Sequence, residues 1–136
     1  MYTTTVNKSV STNLDFSHNS VNIVSGAAKL SINQVIPTGT NGASVNYNFS
    51  IVTGRLLAIS AVNAPLELRS NSTTSPTNTF LVNAGESYIF DNLTVGQAKD
   101  SLGNNLANIT GLFVYNSGSL ASTLRIDSLF DPTPTI

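Results

Sequence analysis

Residues 45–51, "VNYNFSI", alternate apolar and polar side chains over their whole length. Val45, Tyr47, Phe49 and Ile51 fall on one side of an extended chain, and Asn46, Asn48 and Ser50 on the other. Period two of this kind puts one strand face in a core and the other in solvent, whereas on a helix the same positions would be spread around the axis. The pattern recurs. "KLSINQVI" sets Leu30, Ile32 and Ile36 on one face with Gln34 interrupting the row, and "LASTLRI" does the same with Leu120, Leu124 and Ile126. Each reads as a half-buried antiparallel strand. The runs "LLAISAV", "LELR", "TFLV", "SYIF" and "GLFVYN" are strand-length, rich in β-branched, aromatic and leucine side chains, and bounded by turn residues.

The punctuation between these runs agrees with eight or nine strands. Asn41-Gly42, a pair that tolerates positive φ at both positions, is expected to turn the chain from a 28–36 strand to a 45–53 strand. "NAGES" at 83–87 and "NSGS" at 116–119 read as two further tight returns. "TVGQAKDSLG", 94–103, offers at most one helical turn ended by Gly103, since Val95, Ala98 and Leu102 are too few for a stable stripe. Short, closely spaced strands with no helix of consequence imply an all-β, antiparallel two-sheet sandwich, jelly-roll-like rather than immunoglobulin-like. The 136 residues suit one domain, burying roughly two thirds of the surface that the unfolded chain exposes. Its organisation reads as an N-terminal arm over 1–12, a β-sandwich over 13–129 and an extended tail over 130–136, where "DPTPTI" is too proline-rich for a strand interior.

Charge sets the chemistry apart. Lys, Arg, Asp and Glu make up 10% of the chain, against about 25% in ordinary soluble proteins, and the net charge is −1. Such a chain presents no basic field for nucleic acid or anionic lipid, and no stretch is apolar for long enough to span a bilayer. "MYTTTVNKSV" does not read as a secretion signal. In place of charge stand 18 Ser, 16 Thr and 17 Asn. A surface of hydroxyls and amides stays wet, and it packs against a copy of itself without burying ions, the costly step in association.

Catalytic signals are sparse. There is no cysteine, and His18, beside polar turn residues, is the single histidine. The seven carboxylates, Asp15, Glu67, Glu86, Asp91, Asp100, Asp127 and Asp131, are scattered without a spacing that pairs them. No nucleophile elbow or phosphate-cradling loop occurs. "DSLGNN" at 100–105 has the oxygen-rich look of a calcium loop but lacks alternating acids and a closing glutamate, and reads as a turn. The chain is therefore expected to be no enzyme and to carry no metal or cofactor. The five Asn-Xaa-Ser/Thr sequons, at Asn7, Asn48, Asn71, Asn92 and Asn108, are about as many as this composition supplies by chance.

"LELRSNSTTSPTNTFLVNAGESYIF" (66–90), followed by "ITGLFVYNSGSLASTLRI" (109–126), resembles a pattern in small β-sandwich virion proteins of tailed bacteriophages. There a strand ends in an Arg/Lys-Xaa-Asn-Ser/Thr run, crosses a Ser/Pro/Asp loop to an Ala-Gly turn, and closes with a Leu-Phe-Val-Xaa-Asn hairpin. The likeness covers residues 55–128, and departs from the pattern at Asn78-Thr79, where an acid is expected in the loop. It implies a capsid cement or decoration protein, found in the virion after assembly in the host cytoplasm, that binds itself, as a trimer by preference, and the major capsid protein or another virion protein. The candidate contact surface is the uncharged loop Ser70, Asn71, Ser72, Thr73, Thr74, Ser75, Pro76, Thr77, Asn78 and Thr79. Two other classes stay open: a tail, baseplate or fibre component, and a carbohydrate-binding sandwich. With no tryptophan, the aromatic platform of the latter falls to Tyr2, Tyr88 or Tyr115.

Overall fold

The computed structural model describes residues 2–12, 16–26, 28–91 and 99–131. No helix occurs among them. The first two strands, β1 (Tyr2–Thr12) and β2 (Phe16–Gly26), pair with each other in one antiparallel ladder that runs from Tyr2↔Gly26 to Thr12↔Phe16. The remaining strands are β3 (Ala28–Ile36), β4 (Asn41–Val45), β5 (Gly54–Val62), β6 (Leu66–Ser70), β7 (Thr79–Val82), β8 (Ser87–Asp91), β9 (Leu112–Tyr115) and β10 (Ser122–Phe130). They form two sheets of four, in the orders β3-β10-β5-β8 and β4-β9-β6-β7. With β3 counted as the first of eight, these orders are 1-8-3-6 and 2-7-4-5, the jelly-roll arrangement. All pairings between the strands are antiparallel.

Alternation explains the core. In β5, Leu57, Ile59 and Ala61 point inward, as do Leu124 and Ile126 of β10, against Leu66 and Leu68 of β6, Leu112 and Val114 of β9, and Phe80 and Val82 of β7. Edge-on ring pairs tie the layers: Phe80 with Tyr88 at 4.8 Å and Phe49 with Phe90 at 5.8 Å between centroids. The Tyr47 hydroxyl, deep in this core, finds no hydrogen-bond partner, and burial pushes its pKa far up.

The connections differ from the expected hairpins, for one topological reason. Among the eight sandwich strands, every return except β6 to β7 joins strands that lie in different sheets, so the chain steps across the sandwich instead of folding back beside itself. The turn after β3 is made by Pro37–Thr40, with Gly39 at φ 80° and the Thr40 N–H bonded to the Pro37 carbonyl. Gly42, at φ 78°, sits instead in a β-bulge of β4 opposite Tyr115, where a Cβ would lie 3.1 Å from the phenol oxygen. The 45–53 segment is likewise mostly a crossover. Val45, Tyr47 and Phe49 are buried as the alternation requires, but only Val45 belongs to a ladder, and Phe49 exchanges two 2.8 Å backbone bonds with Ile109 alone. Ile51, on the turn that follows, is 40% exposed. Leu120 also leaves its expected row and is 60% exposed, because β10 begins at Ser122.

On the outward face of the first sheet, Leu56 and its cross-strand partner Leu129 form a second, small buried cluster, each 4% exposed. β2 runs beside β5 and β10, so the N-terminal hairpin lies over that end of the sheet. Residues 2–12, read in the sequence as an N-terminal arm, pair with β2 of the same chain. The segment 94–103, considered for a helical turn, falls outside the described residues up to position 98, and its described end is a bridge at Lys99 followed by a turn in which Gly103 has φ 84°. The proline-rich tail beyond Asp131 lies outside the described residues.

Candidate interaction surface

Among consecutive sandwich strands, β6 and β7 alone share a sheet, and the loop between them carries the uncharged run singled out above. Three of its ten residues do not reach the surface. Ser70, Asn78 and Thr79 are buried and act as its anchor. The Ser70 N–H donates to the Asn78 carbonyl at 2.9 Å, and the Ser70 hydroxyl accepts the Asn78 N–H at 2.9 Å. The Asn78 amide then reaches out of the hairpin. Its Nδ2 donates to Asp100 Oδ2 at 3.0 Å and to the Asn105 carbonyl at 2.9 Å, while its Oδ1 accepts the Ala107 N–H at 2.9 Å.

Asp100 is the centre of this network. Its Oδ2 also accepts the Thr79 N–H at 3.0 Å, and its Oδ1 accepts the N–H groups of Leu102 and Asn104 at 2.8 and 3.0 Å. Burial pushes the carboxyl pKa up, but the donors together outweigh it and hold it below its ordinary value. The "DSLGNN" segment is therefore a turn wrapped around its own aspartate, whose oxygens face N–H donors.

The open end of the loop is fixed as well. Asn71, in the left-handed region at φ 69°, accepts from the Thr110 N–H and hydroxyl on Oδ1 at 2.8 and 3.0 Å. It donates from Nδ2 to Thr77 Oγ1 at 3.0 Å and the Asn108 carbonyl at 2.9 Å. The Ser72 hydroxyl accepts the N–H groups of Thr74 and Ser75 at 3.2 and 3.0 Å, a local turn made by a side chain. Arg69 Nη1 donates to the Thr73 carbonyl at 2.6 Å. What remains exposed, chiefly Asn71, Thr74, Ser75 and Thr77 with parts of Ser72, Thr73 and Pro76, is a neutral patch rich in hydroxyls.

Beside it, on the outward face of the second sheet, Arg69 lies over the Tyr115 ring at 4.3 Å and donates from Nε to Glu67. Together with Leu81, Asn83 and Ser117 these residues line an open depression of about 460 Å³. The sequence offered Tyr115 as a platform and Glu67 as one of seven scattered carboxylates, and the β6–β9 register brings the two together by pairing Glu67 with Tyr115. Tyr88 is no platform: its ring packs on Phe80, its hydroxyl donates to the Lys99 carbonyl at 3.1 Å, and burial pushes its pKa up to about 12. The side chains of Tyr2 and His18 lie outside what is described.

Three other carboxylates have separate occupations, and Asp15 and the side chain of Asp91 lie outside what is described. Asp127 accepts from the Ser31 hydroxyl at 2.8 Å, Asp131 pairs with Arg55 at 3.0 Å, and Glu86 accepts from Asn83 at 3.1 Å. Among the described residues no cluster of three acidic or histidine side chains forms. The chain matches no known family model, no curated protein and no solved structure.

Proposed function

We propose that this protein is a structural, non-catalytic component of a tailed-bacteriophage virion, a cement protein that stabilises contacts between capsomers. The observation that carries the reading is the β6–β7 loop: a neutral, hydroxyl-rich surface braced by hydrogen bonds from Asn71, Asn78 and Arg69. A loop ordered before contact loses little conformational entropy on docking, and one without ions has little to desolvate. The resemblance of residues 55–128 to small virion sandwiches supports the same role, as does a fold shared with viral shell domains. In this reading the partners are a second copy of the chain and the major capsid protein.

The test is co-sedimentation with capsid shells stripped of this protein. Wild type is expected to bind, and the exposed double substitution Thr74→Lys, Ser75→Lys to lose at least tenfold in affinity while melting as wild type does. A wild-type chain that stays in the supernatant removes the cement role. A doubly substituted chain that binds equally well removes the loop from it.

A second reading, a saccharide-binding module, rests on the depression at Tyr115, where a ring, the Arg69 guanidinium and the Glu67 carboxylate converge on an open face. Here Tyr115→Ala should abolish retention on immobilised glycans and leave shell binding intact.

A further inference from the structure

The two sheets have four edges, β3 and β8 in one and β4 and β7 in the other. An edge strand presents unpaired backbone donors and acceptors, and natural folds blunt such edges with short strands, bulges, prolines, charges or a covering segment. Three of the four are treated in this way. β4 is five residues long and bulged at Gly42. β7 is four residues long, and the chain at Asp100–Ser101 covers it: the Ser101 N–H bonds the Thr79 carbonyl at 3.0 Å, and the Ser101 hydroxyl takes the Leu81 N–H at 2.8 Å. β8 has five residues.

β3 is different. It runs for nine residues, pairs with β10 from end to end without a register shift, contains no proline, and has Lys29 as its single charge. Among the described residues, β10 is its one ladder partner, and the N-terminal hairpin lies on the sheet face over β5 and β10 and forms no ladder with this edge. Most of its side chains are exposed, Val35 to 64%.

We infer that β3 is the self-association edge of this protein: it pairs antiparallel with β3 of a second copy across a two-fold axis, joining two four-stranded sheets into one of eight. An antiparallel edge is complementary to itself, so one strand supplies both sides of the seam, and the contact closes at two copies. Any register that keeps Leu30, Ile32 and Ile36 on the inner side pairs even with even positions. In the register centred on Ile32, Lys29 faces Val35 of the other copy and not another lysine, so the seam contains no like-charge pair. With a single charge per strand, the contact is insensitive to salt. A seam of nine backbone positions without a large apolar patch lies at the small end of specific interfaces, so the dimer is expected to dissociate on dilution.

The inference rests on self-association alone and is independent of shell binding. The experiment is sedimentation velocity on the full chain over a concentration series, at low and high salt, for wild type and for Asn33→Lys, Val35→Lys. Both substituted side chains are exposed on the outer face, opposite Arg125 and Thr123 of β10; the first adds a like charge within the sheet, a small surface cost, and together they place lysines across the seam from Ser31 and Lys29. Wild type is expected to dimerise equally at both salt concentrations. The double substitution is expected to weaken the dimer at least tenfold while the chain keeps its cooperative melting transition. A strictly monomeric wild type, a trimer, or a dimer that survives both lysines would overturn the assignment. A monomer that still sediments with shells would overturn it while leaving the cement role standing, and a dimer that ignores shells would do the reverse.

Discussion

Asp100 gathers four N–H donors, one from a side chain and three from the backbone, onto one buried carboxylate. Hydrogen bonds to an ionised acceptor are about twice as strong as neutral ones, and removing the acceptor strands its donors. Asp100→Asn keeps the shape but turns an N–H₂ group toward N–H donors, and should cost about 2–4 kcal/mol at neutral pH by denaturant melting. The pH dependence follows from the lowered pKa. A carboxyl whose folded pKa lies below its unfolded value near about 3.9 contributes stability that is complete above that value and is lost as pH falls through the folded pKa. The gap between wild type and Asp100→Asn should therefore be widest at neutral pH and narrow in acid. A gap that stays constant down to acid pH would show that the charge on Asp100 is not what holds the loop. This network was invisible in the sequence, because Ser70 and Asn78 look the same whether solvated or buried, and nothing near position 78 announces an aspartate more than twenty residues later.

At the scale of elements, β5, β6, β9 and β10 were legible from short apolar runs bounded by turn residues, in which Leu57 and Ile59, Leu66 and Leu68, Leu112 and Val114, and Leu124 and Ile126 each stand two apart on the inner face. The turns were not. Asn41-Gly42 satisfies a tight turn and a glycine bulge by the same freedom at positive φ, and only the partner strand, here Tyr115 on β9, decides between them. β1 and β2 were missed because weak alternation leaves a ladder carried by backbone bonds, which have no signature in side chains. The crossover between β4 and β5 depends on one close approach: a Cβ at Gly54 would lie 2.2 Å from the Phe49 ring and 2.7 Å from the Ser50 carbonyl. Because the second contact is to backbone that itself accepts the Gly54 N–H, side-chain rotation cannot relieve it. Gly54→Ala should cost about 2–4 kcal/mol, whereas Gly111→Ala, with no atom within 4 Å of the new methyl, should change stability by less than about 0.5 kcal/mol. Equal midpoints for the two in urea would mean that the crossover relaxes freely.

For the whole molecule, the question is how the two-stranded hairpin relates to the eight-stranded sandwich. An isolated hairpin is marginal in water at best, so β1 and β2 depend on the sheet beneath them. The sheet depends less on the hairpin, because among the described residues the main core from Ile36 to Ile126 is built by the sandwich strands and their connections, and Leu56 and Leu129 form a separate small cluster on the covered face. Burying two leucines contributes about 3–5 kcal/mol before the entropy of ordering the hairpin is subtracted. Removal of residues 1–26 should accordingly leave a cooperative all-β fold that is about 1–3 kcal/mol less stable and binds a hydrophobic dye at the bared leucines. Adding Leu56→Ser and Leu129→Ser to the shortened chain should abolish dye binding. The same substitutions in the full chain should instead destabilise it, since there the two positions are buried. Circular dichroism melts of these four proteins check the hierarchy. If the shortened chain loses its cooperative transition, the hairpin is part of the folding unit and the sandwich does not stand on its own.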